Sequence, residues 1–348
     1  MNIAIYNLHF AVLGGGERRS ALLAAHLSKA NNVWLFVQSP IGKNAILEVF
    51  GIDLKGVTIV PLEERDHLAE IARICPDLFI NNSYGSTLPS IAPAGIYMCM
   101  FPNVEKIDLA SYGVVTANSE YTAKWILKRW GRRSEVVYSA CQLMGPGQKK
   151  EKIILNVGRF FQDGPEAHHK RQDILIEAFG KLVEEGGSDL QLHLIGRIGG
   201  WAGDQRYLER VKSLSQPYPV RILTDVDFNQ LRLEYRKAPI YWHATGFGSD
   251  ENNQPSKQEH FGMSIVEAMS AGAVPLAFDA GGPKEIIRSG VSGYLWRDVD
   301  ELIHSTRCLI ANPAVMNSMS AAAVADSQRF GADGFLARMD AIIARLTH

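Results

Sequence analysis

Short apolar runs alternate with amphipathic segments along most of the chain. The first run, 2–7, is bounded by turn residues, as expected for a buried parallel strand. A glycine-rich loop at 13–16 follows, and residues 17–30 then place apolar side chains at helical spacing. Strand-like runs recur at 33–37, 57–60, 77–80, 95–99 and 113–116. Strands that alternate with helices predict an α/β fold with a parallel sheet.

A polar stretch at 144–152 interrupts this pattern with two glycines, a proline and clustered lysines, and it is the best linker candidate. A second series of strands and helices begins after it. The predicted strands are 153–157, 190–195, 220–223, 239–242 and 274–278, and the predicted helices are 171–185, 204–214, 228–237, 264–271 and 283–288. The stretch 299–346 is predicted to be helical. The pattern therefore indicates two doubly wound domains, 1–147 and 148–330, and a C-terminal helix in 331–348.

Composition narrows the class of ligand. The 36 Lys and Arg residues nearly balance the 37 Asp and Glu residues of the 348-residue chain, so no global field recruits nucleic acid. An anionic ligand must then be held by a local site. The four cysteines are scattered without zinc spacing, and the chain has neither a signal-peptide pattern nor a spanning apolar run. A cytoplasmic protein is expected, at most peripheral to a membrane.

The first candidate site is the loop of Gly14, Gly15 and Gly16, followed by Glu17. Glycines between a strand and a helix allow close backbone approach, and free N–H groups at the helix start attract phosphate oxygens. The alternative is a tight strand-to-helix turn in which Glu17 stabilises the first helical turn. Position 19 is Arg, so the dinucleotide fingerprint GxGxxG is absent.

The second candidate site is formed by Arg159, directly after strand 153–157, and by Lys170 and Arg171 at the start of the next helix. A strand end and a helix start direct these cations at the carboxyl edge of the sheet, where ligands bind in such folds. Arginine can bind a diphosphate with two hydrogen bonds, and lysine adds a point charge. The alternative is that the two helix-start cations are solvated surface charges.

The third candidate site runs from Glu259 to Glu267 through a turn that leads into a helix. The N–H groups from Gly262 to Ser264 would point outward at the helix start, which is an anion site. Two carboxylates on either side of a phosphate-binding turn match the hydroxyl–phosphate–hydroxyl layout of a nucleotide sugar. The alternative for Glu267 is a capping box with Ser264.

These segments resemble glycosyltransferase family four over essentially the whole chain. The segment EHFGMSIVEAMSAGAVPLAFDAGGPKEIIRSGVSGYLW (259–296) is similar to the donor-site signature of that family. NVGRFF…KRQDILIEAF (156–179) and VVTANSEYTAKWI (114–126) resemble two further family segments. The resemblance implies the GT-B fold, in which two Rossmann-like domains face each other across a cleft, and retention of anomeric configuration. It also implies that the C-terminal helix crosses back to the first domain.

The resemblance assigns roles to residues of all three candidate sites. Arg159 and Lys170 would hold the diphosphate, and Glu259 would contact hydroxyls of the donor sugar; these three form the expected catalytic set. Donor-binding contacts are expected from the glycine loop, from the turn and from the helix that follows it: Gly14, Gly15, Gly16, Phe261, Gly262, Met263, Ser264 and Glu267. The gap between Arg159 and Lys170 is longer than usual in the family, so Arg171 is an alternative to Lys170.

The expected activity is transfer of a hexosyl group from GDP-mannose or a UDP-sugar to a glycan, lipid-linked or small-molecule acceptor. No cofactor or metal is expected, because fixed cations and backbone dipoles meet the leaving-group charge. The polar insertion 248–258 is a candidate lid or acceptor contact. The alternatives are a nucleotide-sugar epimerase or a phosphorylase on the same fold, or a non-catalytic binding module.

Other features favour structural roles. The pairs Asp225/Asp227 and Asp298/Asp300 mimic a metal-binding DxD, but both pairs are more typical of helix starts. The pair 168–169 (His-His) lacks partner ligands at metal-binding spacing. His243 ends a predicted strand, where a structural role is favoured over one facing the cleft. The basic and aromatic run 124–133 could lie on anionic lipid, but a helix that packs its tryptophans inward is favoured.

Overall fold

The computed structural model describes residues 1–63, 66–147, 149–162, 169–186, 189–199 and 202–347. The chain divides into two compact units. One comprises Met1–Cys141 and Phe330–His348, and the other comprises Gln142–Arg329. The division falls after Cys141, slightly before the predicted boundary at 147, and Gln148 of the predicted linker lies outside the described residues.

The first unit contains one parallel sheet with helices between its strands. Its strands are β1 (Asn2–Tyr6), β2 (Asn32–Val37), β3 (Val57–Pro61), β4 (Leu78–Asn81), β5 (Ala94–Cys99), β6 (Val114–Ala117) and β7 (Glu135–Val136). Its helices are α1 (Gly15–Leu27), α2 (Lys43–Phe50), α3 (His67–Ala72), α4 (Glu120–Trp130) and, after the second unit in the chain, α12 (Ala332–Thr347). A 3-10 turn, Phe10–Val12, lies between β1 and α1.

The seven strands follow the order β3-β2-β1-β4-β5-β6-β7, and their pairings are parallel. Ile3 and Ile5 of β1 pair with Val33 and Leu35 of β2 and are fully buried. Both faces of a parallel sheet are covered by helices, which explains why the strands are continuous apolar runs. The strand order reverses between β1 and β4, and the carboxyl ends of these strands border a crevice.

Helix α12 completes the core of the first unit. It lies against α1 and β5, and its apolar face buries Phe335, Met339, Ile342 and Ile343 in the cluster that contains Ile3 and Ile5. Asp340 pairs with His26 of α1 at 2.9 Å on the exposed side.

The second unit contains the other parallel sheet. Its strands are β8 (Ile153–Val157), β9 (Gln191–Ile195), β10 (Val220–Leu223), β11 (Ile240–His243), β12 (Val274–Phe278) and β13 (Tyr294–Trp296). Its helices are α5 (Gln172–Glu184), α6 (Ala202–Ser215), α7 (Phe228–Lys237), α8 (Met263–Ser270), α9 (Pro283–Ile286), α10 (Val299–Ala311) and α11 (Pro313–Ser327). Short 3-10 turns occur at Pro255–Lys257 and Gln328–Phe330.

The six strands follow the order β10-β9-β8-β11-β12-β13 in parallel pairings. The order reverses between β8 and β11, so the carboxyl ends of these two strands border the ligand crevice expected of a doubly wound sheet. The two sheets confirm the predicted α/β class. The short strands β7 and β13 were missed by the sequence prediction.

Candidate functional site

Arg159 lies at the reversal of strand order in the second sheet. It follows the end of β8 by two residues, and its side chain is exposed. Its guanidinium lies 5.5 Å from the ring centroid of Phe161, a distance at which an aromatic face attracts a cation. The arginine therefore presents a fixed positive charge at the carboxyl edge of the sheet.

Lys170 crosses the end of the same strand. A side chain on Gly158 would place its Cβ 2.9 Å from Lys170 Cγ, so the glycine leaves room for the lysine stem. Lys170 Nζ donates to Glu259 Oε2 at 2.6 Å, and the two side chains are 15% and 11% exposed. The second and third candidate sites of the sequence are thus joined by an ion pair that is largely shielded from water.

Arg171 has different partners from its neighbour. Its backbone is left-handed (φ 53°), and its side chain donates to Asp173 Oδ1 at 3.2 Å and to the Phe247 carbonyl oxygen at 2.5 Å. The guanidinium also lies 5.7 Å from the Phe247 ring centroid. The structure therefore places Lys170, rather than Arg171, on Glu259.

Two other elements hold Glu259 in place. His243 Nε2, at the end of β11, lies 3.1 Å from Glu259 Oε2. The loop after β12 donates from the Gly282 N–H to the Glu259 carbonyl oxygen at 2.8 Å. Gly281 has φ +66°, and a Cβ there would overlap that carbonyl, so the loop requires glycine at this position. Both the backbone and the side chain of Glu259 are therefore held by contacts within the second unit.

Helix α8 begins at Met263, after Gly262 with φ +114°. Ile265 and Val266 donate the first intrahelical bonds to the Gly262 carbonyl, so the N–H groups of Met263 and Ser264 belong to the unsatisfied first turn. The positive end of the helix dipole adds to their attraction for an anion.

The capping-box alternative for Ser264 and Glu267 is wrong. Gly262 is the N-cap, so Ser264 lies inside the helix instead of in front of it. Ser264 Oγ accepts from Tyr241 Oη at 2.8 Å, and Glu267 Oε2 accepts from Tyr235 Oη at 2.8 Å.

Tyr235 and Tyr241 are functional candidates that the sequence prediction missed. Both side chains are fully buried, and their rings stack with centroids 6.3 Å apart. Burial raises the pKa of Tyr241, so its hydroxyl remains protonated. The spacing of these tyrosines on α7 and β11 is that of ordinary core residues, so no sequence pattern distinguishes them.

Phe261 enters the core, with 2% of its surface exposed, so its backbone is the part left for the turn.

The polar insertion 248–258 lies against the loop after β12. Glu251 accepts from the Gly281 N–H at 3.2 Å and pairs with Lys284 at 2.7 Å.

The glycine loop belongs to the first unit. Gly14 is the N-cap of α1, and Gly15 and Gly16 form its first turn. The Gly14 N–H donates to Glu17 Oε2 at 2.9 Å, and the Gly16 carbonyl accepts from Asn82 Nδ2 at 3.0 Å. One of the N–H groups considered for phosphate is therefore engaged by a carboxylate of the same helix.

One aspartate of each pair considered as metal ligands caps a helix. Asp227 accepts from the Gln230 N–H, and Asp298 from the Glu301 N–H, each at 2.8 Å. Within the part of the chain that the structure describes, no group of three or more His, Cys, Asp or Glu side chains is arranged to hold a metal ion. His168 lies outside the described residues.

The basic and aromatic helix α4 packs its aromatic side inward. Trp125 is 4% exposed, and Lys128 Nζ lies 4.3 Å from its ring centroid. Arg129 donates to the Pro102 carbonyl at 2.7 Å, and Trp130 Nε1 to the Val104 carbonyl at 2.8 Å. These contacts tie the helix to its own unit.

None of the described helices is by itself long and apolar enough for a membrane span. Two consecutive helical segments of the described chain meet that test of length and composition only when they are taken together: Val299–Ala311 and Pro313–Thr347. The two segments are bent by 107° at the break between them.

A family model describing glycosyl transferases group 1 matches residues 145–325 of this chain. The chain belongs to this family. The matched part of this glycosyl transferase contains Arg159, the ion pair of Lys170 with Glu259, and helix α8.

Two curated relatives extend this result. The glycosyl transferase is 30% identical over 207 residues to the mouse (Mus musculus) GDP-Man:Man(3)GlcNAc(2)-PP-Dol alpha-1,2-mannosyltransferase, covering 54% of this chain and 38% of that protein. It is 28% identical over 163 residues to a glycogen synthase of Pseudomonas syringae pv. tomato, covering 45% of this chain and 30% of that protein. The matched region thus spans well under half the length of either relative.

Solved structures resemble the glycosyl transferase over nearly its whole length. Anabaena HepE in complex with UDP has a TM-score of 0.75 and 17% identity, covering 99% of this chain and 100% of that one. The sucrose-phosphate synthase of Thermosynechococcus elongatus has a TM-score of 0.73 and 16% identity, with 99% of each chain covered. These likenesses confirm the predicted GT-B fold class.

Proposed function

We propose that this chain transfers a hexosyl group from a nucleoside-diphosphate sugar to an acceptor hydroxyl, with retention of configuration and without a catalytic metal. The observation that carries the proposal is the ion pair of Lys170 with Glu259 at the reversal of strand order, where Arg159 follows the end of β8. A cation suits phosphate oxygens and a carboxylate suits sugar hydroxyls. A nucleotide sugar carries both kinds of group.

The leaving group of such a transfer is a diphosphate that gains negative charge as the glycosidic bond breaks. Arg159 and Lys170 meet that charge together with the N–H groups of Met263 and Ser264 at the start of α8. Groups that are already in place need no reorganisation during the reaction, which makes this kind of stabilisation effective. Lysine carries three N–H donors, so Lys170 can stay on Glu259 and still donate to a phosphate oxygen.

The carboxylates bind the two ends of the donor. Glu259 accepts from hydroxyls of the sugar, and Glu267, oriented by Tyr235, accepts from the ribose. Retention is proposed from the family resemblance and not from the spacing of these carboxylates, because donor binding accounts for both.

GDP-mannose is the proposed donor, and a lipid-linked oligosaccharide is the proposed acceptor. Both proposals are supported by the similarity to the mouse relative, which is named as a GDP-Man:Man(3)GlcNAc(2)-PP-Dol mannosyltransferase. UDP-glucose is the second donor to test, because Anabaena HepE was solved with it.

A donor screen tests the proposal. GDP-, UDP-, ADP- and dTDP-sugars are measured by thermal shift and by release of nucleoside diphosphate, each with Mg²⁺ and with EDTA. We expect one donor to stabilise the protein and to be turned over equally in both conditions, giving an α-linked product from an α-linked donor. Strict dependence on Mg²⁺, an inverted product, epimerisation without acceptor, or release of a sugar phosphate would each contradict the proposal.

Substitutions test the assigned charges. Arg159→Ala and Lys170→Ala are each expected to lower turnover by about 10²–10³, as for loss of one charge-stabilising donor. Lys212→Ala is the matched control, because Lys212 is a half-exposed lysine of the same unit that pairs only with Glu209 of its own helix among the described residues. Near-normal turnover in Arg159→Ala or Lys170→Ala would remove that residue from the mechanism.

A further inference from the structure

His243 is the last residue of β11, next to β8 at the reversal of strand order. Its side chain is 2% exposed. Nε2 lies 3.1 Å from Glu259 Oε2 and 3.2 Å from Thr245 Oγ1. The imidazole and the Lys170 ammonium therefore reach the same carboxylate oxygen from two different elements.

The contacts of His243 define its tautomer. An ammonium on the same oxygen favours the ionised form of Glu259, and an ionised carboxylate only accepts hydrogen bonds. The nitrogen that faces Glu259 must then carry a proton, since an unprotonated nitrogen would place two lone pairs against each other. Nε2 is thus the donor, and Nδ1 carries the lone pair.

The other nitrogen shows that the ring is neutral. Nδ1 is buried, and among the described residues it has no hydrogen-bond partner. A proton on Nδ1 would be a buried donor without an acceptor, which is strongly disfavoured. Burial correspondingly lowers the pKa of His243, although the Glu259 carboxylate acts in the opposite direction.

A histidine at this position is unfavourable for the stability of the fold. A buried strand end is usually occupied by an apolar side chain, and the unpaired Nδ1 destabilises the fold. The bond to Glu259 is the interaction that an apolar residue could not supply.

We infer that His243 is a positioning residue that, as a neutral Nε2–H donor, holds the Glu259 carboxylate in the orientation that accepts a hydroxyl of the donor sugar. The inference rests on the proposed function. It assigns His243 an effect on the sugar end of the donor and none on the nucleotide end.

Two substitutions separate this role from packing. His243→Gln keeps an N–H donor near the position of Nε2, whereas His243→Asn is shorter and withdraws the donor from Glu259. Binding of the nucleoside diphosphate alone and of the intact nucleotide sugar is measured by calorimetry for each variant. The nucleotide pair is the one selected by the donor screen.

We expect His243→Asn to weaken binding of the nucleotide sugar about tenfold, as for loss of one hydrogen bond to a charged acceptor. Binding of the nucleoside diphosphate should stay within about twofold, because that end of the donor does not touch Glu259. His243→Gln should restore nucleotide-sugar binding to within about threefold of the original protein. In a Glu259→Gln background, His243→Asn should have little further effect, because the two residues act as one unit.

Equal weakening of both ligands in His243→Asn, or a glutamine variant that behaves like the asparagine variant, would overturn the inference and assign His243 to packing. Unchanged sugar binding in both variants would overturn it as well. If His243→Asn does not fold, His243→Met has a similar volume without a donor and carries the same expectations. Failure of the original protein to bind any nucleoside diphosphate or nucleotide sugar would instead refute the proposed function.

Discussion

Substitutions in the ion pair between Lys170 and Glu259 are expected to change stability and turnover in different ways. Coulomb's law gives about 6 kcal/mol for charges at the observed 2.6 Å with an effective dielectric constant of about 20. Desolvation of two groups that are only 15% and 11% exposed removes several kcal/mol of this. We therefore expect a net coupling of about 2 kcal/mol between the two side chains.

A double-mutant cycle measures that coupling. Lys170→Met removes the ammonium from a buried carboxylate, and we expect it to lower the free energy of unfolding by about 3 kcal/mol. Glu259→Gln keeps the shape and an acceptor, for a loss of about 1 kcal/mol. The double variant should lose about 2 kcal/mol, less than the sum of the single losses, because it carries no unpaired buried charge.

Urea unfolding followed by tryptophan fluorescence gives these free energies, and donor turnover is measured on the same samples. Turnover should remain low in the double variant, because the charge that meets the diphosphate is still missing. The exposed pair Lys212–Glu209, at 3.0 Å on α6, is the control and should show a coupling below about 0.5 kcal/mol. Additive effects within about 0.5 kcal/mol at the buried pair would refute the stability argument. Turnover in the double variant equal to that of Glu259→Gln alone would show that Lys170 acts only by holding Glu259.

Three further substitutions test the surroundings of the site. Tyr235→Phe removes the 2.8 Å bond to Glu267, and we expect about tenfold weaker nucleotide binding by calorimetry; unchanged binding would argue against a ribose contact. Gly281→Ala forces a Cβ into the Glu259 carbonyl at φ +66°, and we expect the melting temperature to fall; an unchanged value would show that the loop can relax. Glu234→Gln concerns the pH dependence of stability. The hydrogen bond from buried His193, at 2.7 Å, holds the pKa of Glu234 below its ordinary value, so its stabilisation is complete above about pH 4.5 and is lost as pH falls through the lowered pKa. Urea unfolding between pH 3 and 7 should show a flatter acid limb for the glutamine variant than for the original protein; parallel curves would contradict this assignment.

The sequence predicts the strands of four or more residues and misses the two shorter ones. Apolar runs such as 153–157 and 274–278 have the bounds that the structure shows for β8 and β12, because a strand buried on both faces is apolar throughout. Tyr294–Trp296 and Glu135–Val136 are edge strands of three and two residues, too short to show a period. Their pairing depends on a neighbouring strand that is already in place.

For the candidate site, the sequence predicts the charged residues but not their partners. Lys170 and Glu259 are 89 positions apart, and their contact follows from the sheet topology, which no local pattern specifies. The capping-box alternative for Ser264 is wrong because Gly262, with φ +114°, is the N-cap, so the helix starts two residues earlier than a cap at Ser264 would place it. The sequence does not identify the supporting hydroxyls of Tyr235 and Tyr241, because a buried tyrosine on a helix or strand has the spacing of any core residue.

The contribution of helix α12 to the first unit has a consequence for biosynthesis. The apolar groove that receives Phe335, Met339 and Ile343 is translated early, but the helix that fills it follows the whole of residues 142–329. At about 5–20 residues per second, the groove stays open on the ribosome for roughly 10–40 s. During that interval the nascent first unit exposes a surface suited to chaperones that recognise apolar segments, whereas the second unit can complete its own core as soon as it emerges.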